Sequence, residues 1–197
     1  MVAHSNYTLD VGDILSNQEY VKIRNEKRKE IISLKRYRRV DIGPYVSLYF
    51  ENRNTMWYQI QEMLFIEKGG KEQINDELDA YNALIPNGKE LIATLMIEID
   101  KPLMREKVLS TLGGIEEQVY FNLNGIEVKG CAEKDLDRTN ANGKASSVQF
   151  IHFPFENEEI KLFTNNTNIS IGINHSCYRH STLIDRSIIS ALASDFS

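Results

Sequence analysis

Cysteine is scarce in this chain of 197 residues, which contains only two, Cys131 and Cys177. Two cysteines are too few for the disulfide framework that holds small secreted domains together. The N-terminal residues also lack the basic stretch and apolar segment that are typical of a secretory signal. We therefore expect reduced thiols and a cytoplasmic protein.

Long apolar runs and familiar catalytic motifs are absent as well. No run of about 18 apolar residues occurs, so no membrane-spanning segment is expected. The chain has no Walker loop, no glycine fingerprint for dinucleotides, no nucleophile elbow and no zinc-protease helix motif. The sequence therefore excludes the enzyme classes that these motifs define, and it assigns no cofactor.

The overall composition is that of an ordinary globular protein. Hydrophobic residues make up 42% of the chain and charged residues 26%, both typical values. The length fits one domain. We expect a single domain over residues 1–197, in which an N-terminal helix either packs on the body or forms an arm.

Helices and strands alternate in the first half of the chain. Ser16 and Glu19 form a capping-box pattern that predicts a long helix over about 16–39. The residues 40–50 and 90–100 alternate as strands do, and the second strand is predicted to be central because both its faces are apolar. Between these strands the spacing predicts a central helical pair, over about 54–68, capped by Asn54 or Thr55, and about 71–84.

Strands dominate the second half. Asn124-Gly125 predicts a type I′ turn inside a hairpin over 118–131. The remaining expected elements are a short helix over 102–112, a polar loop over 132–144, strands over 148–155 and 169–173, a polar turn over 165–168, a loop over 175–180, and a C-terminal helix capped by Thr182. This order predicts an α+β fold with a mainly antiparallel sheet of about five to six strands.

A first candidate site lies in the segment from Tyr45 to Ile85, which is dense in aromatic, Gln and Glu residues. Its members are Glu51, Arg53, Gln59, Glu62 and Glu77. Paired carboxylates hold a hard cation or share a proton, and a buried carboxylate requires a partner, for which Arg53 is a candidate. The alternatives are a structural ion-pair network, a polar ligand site and a metal site.

A second candidate site is the segment that contains His175, Cys177 and His180, toward which Cys131 and His152 are able to converge. Its His-x-Cys-x-x-His spacing matches none of the usual zinc signatures, and structural zinc normally takes four ligands. Cys177 with His175 as a base is a further possibility. The alternative is that these side chains serve packing and hydrogen bonding.

Basic residues are concentrated near the N-terminus. The segment Glu19–Arg39 contains nine basic and three acidic residues, whereas the whole chain has a net charge of −5. Arg24, Arg28, Lys35 and Arg39 are predicted to form one stripe for a polyanion, or else a solvated face with internal ion pairs. We do not expect nucleic-acid binding, because no aromatic platform accompanies the stripe.

Several motifs resemble a known bacterial family. They are Arg38-Arg39-Val40, Gly43-Pro44, Phe50-Glu51-Asn52-Arg53, Thr55, Gln59, Gln61-Glu62-Met63, Glu77-Leu78, Asn82, Leu84-Ile85-Pro86, the run from Ala93 to Glu98, the run from Ser147 to Phe150, His175 and Tyr178. On these residues, and over nearly its whole length, the chain resembles the uncharacterised family called domain of unknown function 3501. Cys177 and His180 fall outside the family pattern.

The resemblance implies a cellular context for the protein but no activity. Members of the family are associated with genes for rubrerythrin-like and iron–sulfur oxidoreductase proteins, which implies a redox or oxidative-stress system and a redox protein partner. The leading hypothesis is a binding or accessory domain that acts through the segment Glu51–Glu77. A homo-oligomer is left open.

Two rival hypotheses come from other residues. One is a metal- or small-ligand-dependent enzyme that uses Glu51, Glu62, Glu77 and His175, with Tyr178 beside them in the ligand set. The other is polyanion binding through the basic stripe.

Overall fold

The computed structural model describes residues 7–133, 144–165 and 168–196. The predicted loop over 132–144 lies mostly outside these residues, and so does the middle of the predicted turn over 165–168. Within the described ranges, no helix combines the length and apolar character needed to cross a membrane.

The strands form two antiparallel sheets, which confirms the α+β class and divides the strands between two sheets instead of one. The first sheet has the order β1 (Arg39–Ile42), β2 (Val46–Phe50), β3 (Glu90–Ile97), β7 (Val148–Pro154) and β6 (Cys131–Ala132). The second has the order β5 (Ile126–Lys129), β4 (Val119–Leu123), β8 (Ile169–His175) and β9 (Tyr178–Leu183).

Six α-helices surround the sheets in the described part of the chain. They are α1 (Asn17–Arg36), α2 (Arg53–Glu67), α3 (Lys71–Asn82), α4 (Pro102–Leu109), α5 (Asn157–Asn165) and α6 (Arg186–Ala193). Single 3₁₀ turns cover Val11–Asp13, Ile115–Gln118 and Ser194–Phe196. The predicted long N-terminal helix is confirmed.

Helix α1 begins as predicted and ends earlier. The Ser16 hydroxyl accepts the Glu19 N–H and the Glu19 carboxylate accepts the Ser16 N–H, which completes the capping box. The prediction that the helix reaches Arg39 is wrong, because Arg39 already pairs with Tyr49 as the first residue of β1. The four basic residues of the predicted stripe therefore do not share one helix.

The residues predicted as one strand over 40–50 form a hairpin of β1 and β2. Gly43 has a φ of +67°, a left-handed conformation that glycine adopts without steric cost, and Ile42 pairs with Val46 across the turn. The alternation that predicted a strand continues through both arms, so it did not reveal the reversal between them.

Each face of the first sheet packs against a different layer. Leu48, Phe50 and Leu95 belong to the core between the two sheets, where Phe50 lies 5.8 Å from Phe121 between ring centroids. On the opposite face, Ile92 packs with Ile60 and the other apolar side chains of α2 and α3. Strand β3 lies between β2 and β7 and buries both faces, which confirms its predicted central position.

The predicted elements of the C-terminal region require correction. The prediction of a loop over 175–180 is wrong except at Ser176 and Cys177, which form the tight turn between β8 and β9. Thr182 lies inside β9, so Asp185 caps the last helix instead. Helix α5 was not predicted. Strand β9 is an edge strand with mostly exposed polar side chains, and it therefore lacks the apolar alternation by which strands are recognised.

Candidate functional site

A cavity of about 360 Å³ lies between the helical layer and the outer face of the first sheet. The sheet side of its wall contains Tyr49, Glu51, Thr94, Met96, Val148 and Phe150, and the helical side contains Lys35, Met56, Gln59, Tyr81 and Leu84. The cavity thus combines one carboxylate and one ammonium group with aromatic rings and thioethers.

Glu51 reaches this cavity because of the alternation of β2. Phe50 faces the core between the sheets, so Tyr49 and Glu51 on either side of it face the helices. The Glu51 N–H donates to the Ile92 carbonyl oxygen at 2.8 Å, and its own carbonyl accepts from Nη2 of Arg38 at 3.0 Å. The backbone of Glu51 is therefore fixed on both sides.

The carboxylate of Glu51 is only half satisfied. Its side chain is 4% exposed, and Oε1 accepts a hydrogen bond from Thr94 Oγ1 at 2.7 Å. Oε2 is buried and has no hydrogen-bond partner within the described residues. A buried carboxylate oxygen without a partner is costly, and Oε2 therefore retains its capacity to accept a hydrogen bond.

The other polar groups around the cavity are loosely held. Gln59 Nε2 lies 3.5 Å from the Tyr81 hydroxyl, and the Tyr49 hydroxyl lies 3.4 Å from Glu98 Oε1. Burial, with a contribution from the Glu98 charge, raises the pKa of Tyr49. Lys35 is half-buried, and its ammonium group makes no hydrogen bond or ion pair to any residue of the described ranges. These groups retain hydrogen-bonding capacity for a ligand.

Arg53 is engaged away from Glu51. Its Nη2 pairs with Asp13 Oδ1 at 2.7 Å, and its Nε donates to the Thr8 carbonyl oxygen at 3.1 Å. Asn52 caps α2 in place of the predicted Asn54 or Thr55, accepting the N–H groups of both with its side-chain oxygen. Arg53 is then the first helical residue and ties α2 to the N-terminal segment.

Glu62 joins α1 to α2. Its two carboxylate oxygens accept from Nε and Nη2 of Arg24, each at 2.8 Å, and Oε1 also accepts from the Tyr20 hydroxyl at 2.7 Å. The hydrogen bonds from Arg24 are the main cause that lowers the pKa of Glu62. Burial and the bond to Glu62 raise the pKa of Tyr20. This carboxylate is occupied by the protein itself.

Glu77 and His175 also have partners of their own. Glu77 Oε1 accepts from Gln73 Nε2 at 3.2 Å on the same helix. His175 Nδ1 accepts the Cys177 N–H at 3.2 Å, so its Nε2 carries the proton and donates to the Gly113 carbonyl oxygen at 3.2 Å. Of the set Glu51, Glu62, Glu77 and His175, the structure brings only Glu51 to the cavity.

The β8–β9 turn places Tyr178 in a structural position. Its hydroxyl donates to the Ile42 carbonyl oxygen at 2.6 Å and accepts the N–H groups of Tyr45 and Val46 at 3.1 and 3.2 Å. His180 packs on the Tyr178 ring with centroids 4.6 Å apart, and Cys177 is exposed. The described ranges contain no group of three potential metal ligands.

Cys131 and His152 lie elsewhere, as cross-strand neighbours on β6 and β7, where His152 Nδ1 is 3.0 Å from Glu90 Oε2.

The four basic residues are divided between different roles. Arg24 binds Glu62 and lies 4.6 Å above the Phe65 ring. Arg39 pairs with Asp41 at 2.8 Å and with Glu98 at 3.2 Å. Arg28 lies within electrostatic range of Glu62, and Lys35 lines the cavity. They therefore do not present one uninterrupted basic surface.

Of the eleven residues that line the cavity, nine were absent from the predicted ligand set, and three of them show why. Thr94, Tyr81 and Phe150 come from a neighbouring strand, the second helix of the pair and β7. Thr94 was expected on the second face of its strand, but its proximity to Glu51 depends on the register that pairs Tyr49 with Thr94. Knowledge of that register was the missing signal.

Comparisons with known proteins agree with the fold and assign no activity. A family model described as protein of unknown function (DUF3501) matches residues 8–196. A crystal structure of a protein of unknown function from Burkholderia pseudomallei K96243 is 35% identical, with a TM-score of 0.90, and the match covers 96% of this chain and 100% of that one. A search of curated proteins finds no match.

Proposed function

The chain belongs to the DUF3501 family of proteins of unknown function, and from the cavity at Glu51 we propose that it is a binding domain for a small polar ligand. The ligand occupies the space between the helical pair and the first sheet. It donates a hydrogen bond to the free carboxylate oxygen of Glu51.

The single observation that carries this proposal is the buried Oε2 of Glu51 without a partner among the described residues. An unsatisfied buried acceptor costs about 1–3 kcal/mol, and more when it is charged. A ligand that supplies the missing donor recovers this energy on binding. The cavity volume of about 360 Å³ falls within the usual range of small-molecule pockets, roughly 300–1,000 Å³.

Native mass spectrometry combined with a thermal-shift screen of small metabolites tests the proposal. We expect a ligand that raises the melting temperature of the wild-type protein and loses that effect in Glu51→Gln, which keeps the shape and removes the charge. Glu106→Gln is the matched control, because Glu106 is exposed on α4. A ligand effect that persists unchanged in Glu51→Gln would contradict a site at Glu51.

An accessory role toward a redox partner is a second and separate proposal. It rests on the resemblance to a family associated with rubrerythrin-like and iron–sulfur oxidoreductase genes. Affinity purification from the native cell, repeated at moderate salt, tests it. Stoichiometric recovery of such an oxidoreductase supports the proposal, whereas repeated recovery of the protein alone counts against it.

A further inference from the structure

We infer that the ligand of the Glu51 cavity is a small zwitterion, with a cationic nitrogen at one end and a carboxylate at the other, as in an ω-amino acid. This inference rests on the proposed function. It adds the chemical class of the ligand, which follows from two opposite charges that line one cavity and that the protein leaves unpaired.

The first charge is that of Glu51. Thr94 supplies one neutral donor to Oε1, and no cation within the described residues lies within ion-pair distance of this side chain. Arg38 is nearby, but its guanidinium is occupied by the carbonyl oxygens of Phe50 and Glu51 and by Asp195. A cationic N–H is the donor that a buried carboxylate binds most strongly, because the hydrogen bond is charge-assisted.

The second charge is that of Lys35, in the last turn of α1. Its side chain is half-buried and lines the same cavity, and it has no anionic partner in the part of the chain that the structure describes. Glu51 is almost fully buried, so Lys35 is the more solvent-accessible of the two. A ligand that carries a carboxylate opposite its ammonium group satisfies both residues at once.

The remaining wall determines the body of the ligand. Met56, Met96, Leu84 and Phe150 offer apolar surface, which excludes a ligand that is polar throughout. Tyr49 and Tyr81 add aromatic rings to the wall. The Arg39 guanidinium already lies over the Tyr49 ring, 5.1 Å from its centroid, so Tyr81 is the ring left to attract a ligand cation. We therefore expect a short apolar or aromatic body between the two charged ends.

Three matched probes separate the contributions of the two charges. They are 4-(aminomethyl)benzoate, benzylamine and 4-methylbenzoate, which differ only in whether the ammonium or the carboxylate is present. Binding to the wild-type protein is measured by titration calorimetry, and the aliphatic set of 5-aminopentanoate, butylamine and pentanoate repeats the comparison.

We expect the zwitterion to bind at least tenfold more tightly than the amine, and the acid to bind least. Glu51→Gln should weaken the binding of both the zwitterion and the amine at least tenfold. Lys35→Met should lower the affinity for the zwitterion to that for the amine, and it should leave the affinity for the amine unchanged. Lys29→Met is the control, since Lys29 is an exposed lysine of the same helix.

The outcomes distinguish this inference from the proposed function. If the acids bind as tightly as the zwitterions, or if Lys35→Met does not change the affinity for the zwitterion, the inference of a zwitterionic ligand is wrong. If neither probe set binds but the metabolite screen finds a ligand that depends on Glu51, the binding function stands and this ligand class is rejected. If Lys35→Met destabilises the ligand-free protein and nothing binds, Lys35 closes onto Glu51 as an internal ion pair, and both proposals fail.

Discussion

Thr94 Oγ1 donates a hydrogen bond of 2.7 Å to Glu51 Oε1 on the helix-facing side of the first sheet. This bond fixes one oxygen of a carboxylate that is 4% exposed and leaves the other without a partner among the described residues. Oε1 therefore contributes to the stability of the fold, whereas Oε2 is able to accept a hydrogen bond from a ligand.

Removal of the Thr94 hydroxyl is expected to destabilise the protein. In Thr94→Val, Oε1 of Glu51 loses its donor while the shape of residue 94 is kept. Both carboxylate oxygens are then without a partner, so the free energy of unfolding should fall by about 1–3 kcal/mol. Urea denaturation measures the change. Thr94→Ser is the matched variant, and it should retain most of the stability.

A double-mutant cycle shows whether the loss comes from Glu51. In a Glu51→Leu background, Thr94→Val should cost much less than in the wild type, because the acceptor is gone. Equal costs in both backgrounds would mean that the hydroxyl acts through another contact.

Tyr178 should prove to be a stability residue. Tyr178→Phe removes one donor and one acceptor that together serve three backbone groups of the β1–β2 turn. Unsatisfied buried groups cost about 1–3 kcal/mol each, and we expect a loss of at least about 2 kcal/mol in urea denaturation. Tyr37→Phe, at an exposed position, is the control and should change the stability by less than about 0.5 kcal/mol. A loss of ligand binding at unchanged stability would instead favour a direct binding role.

Local pattern was sufficient to predict some elements. Strand β3 was predicted because apolar residues occupy both of its faces, and Asn124-Gly125 forms the expected turn with positive φ at both residues, 55° and 101°. Local pattern did not reveal that the strands divide into two sheets, because the same alternation serves either arrangement. Long-range pairing decides between them.

The candidate site was predictable only in part, for the same reason. Glu51 and Gln59 were in the predicted ligand set, and both line the cavity. Arg53 was in that set too, but the cap at Asn52 places it at the start of α2, where it binds Asp13. Lys35 and Thr94 reach the cavity through helix packing and strand register, which no spacing in the sequence encodes.

Arg38 is expected to be among the most sensitive positions of the chain. It is 2% exposed, and its guanidinium donates to the carbonyl oxygens of Phe50, Glu51 and Ala191 and to the Asp195 carboxylate. Lysine cannot reproduce this planar set of donors. Arg38→Lys keeps the charge but leaves some of these acceptors without a donor. It should therefore lower the free energy of unfolding by about 3 kcal/mol or more, since each unsatisfied buried group costs about 1–3 kcal/mol.

The neighbouring Arg36 provides the control for Arg38, because it is exposed in the last turn of α1. Arg36→Lys should change the midpoint of urea denaturation very little. A similarly small effect of Arg38→Lys would show that the contacts of Arg38 contribute no net stability.

The Glu62–Arg24 pair predicts a dependence of stability on pH. The folded protein lowers the pKa of Glu62 below 4.5, mainly through the hydrogen bonds from Arg24. The ionised carboxylate thus stabilises the fold fully at pH values above the unfolded pKa, and this contribution is lost as the pH falls through the lowered, folded pKa. Glu62→Gln should cost about 1–2 kcal/mol at pH 7, near the low end for charged hydrogen bonds because both side chains are partly exposed.

Urea denaturation of wild type and Glu62→Gln from pH 7 to pH 3 measures this effect. The difference between them should be constant near neutral pH and shrink as the pH falls below about 4.5, because the carboxyl of the unfolded wild-type chain is then increasingly protonated. Glu26→Gln, at an exposed position of α1, should show no such trend. A difference that stayed constant down to pH 3 would mean that the shape of the Glu62 side chain, and not its charge, holds α1 against α2.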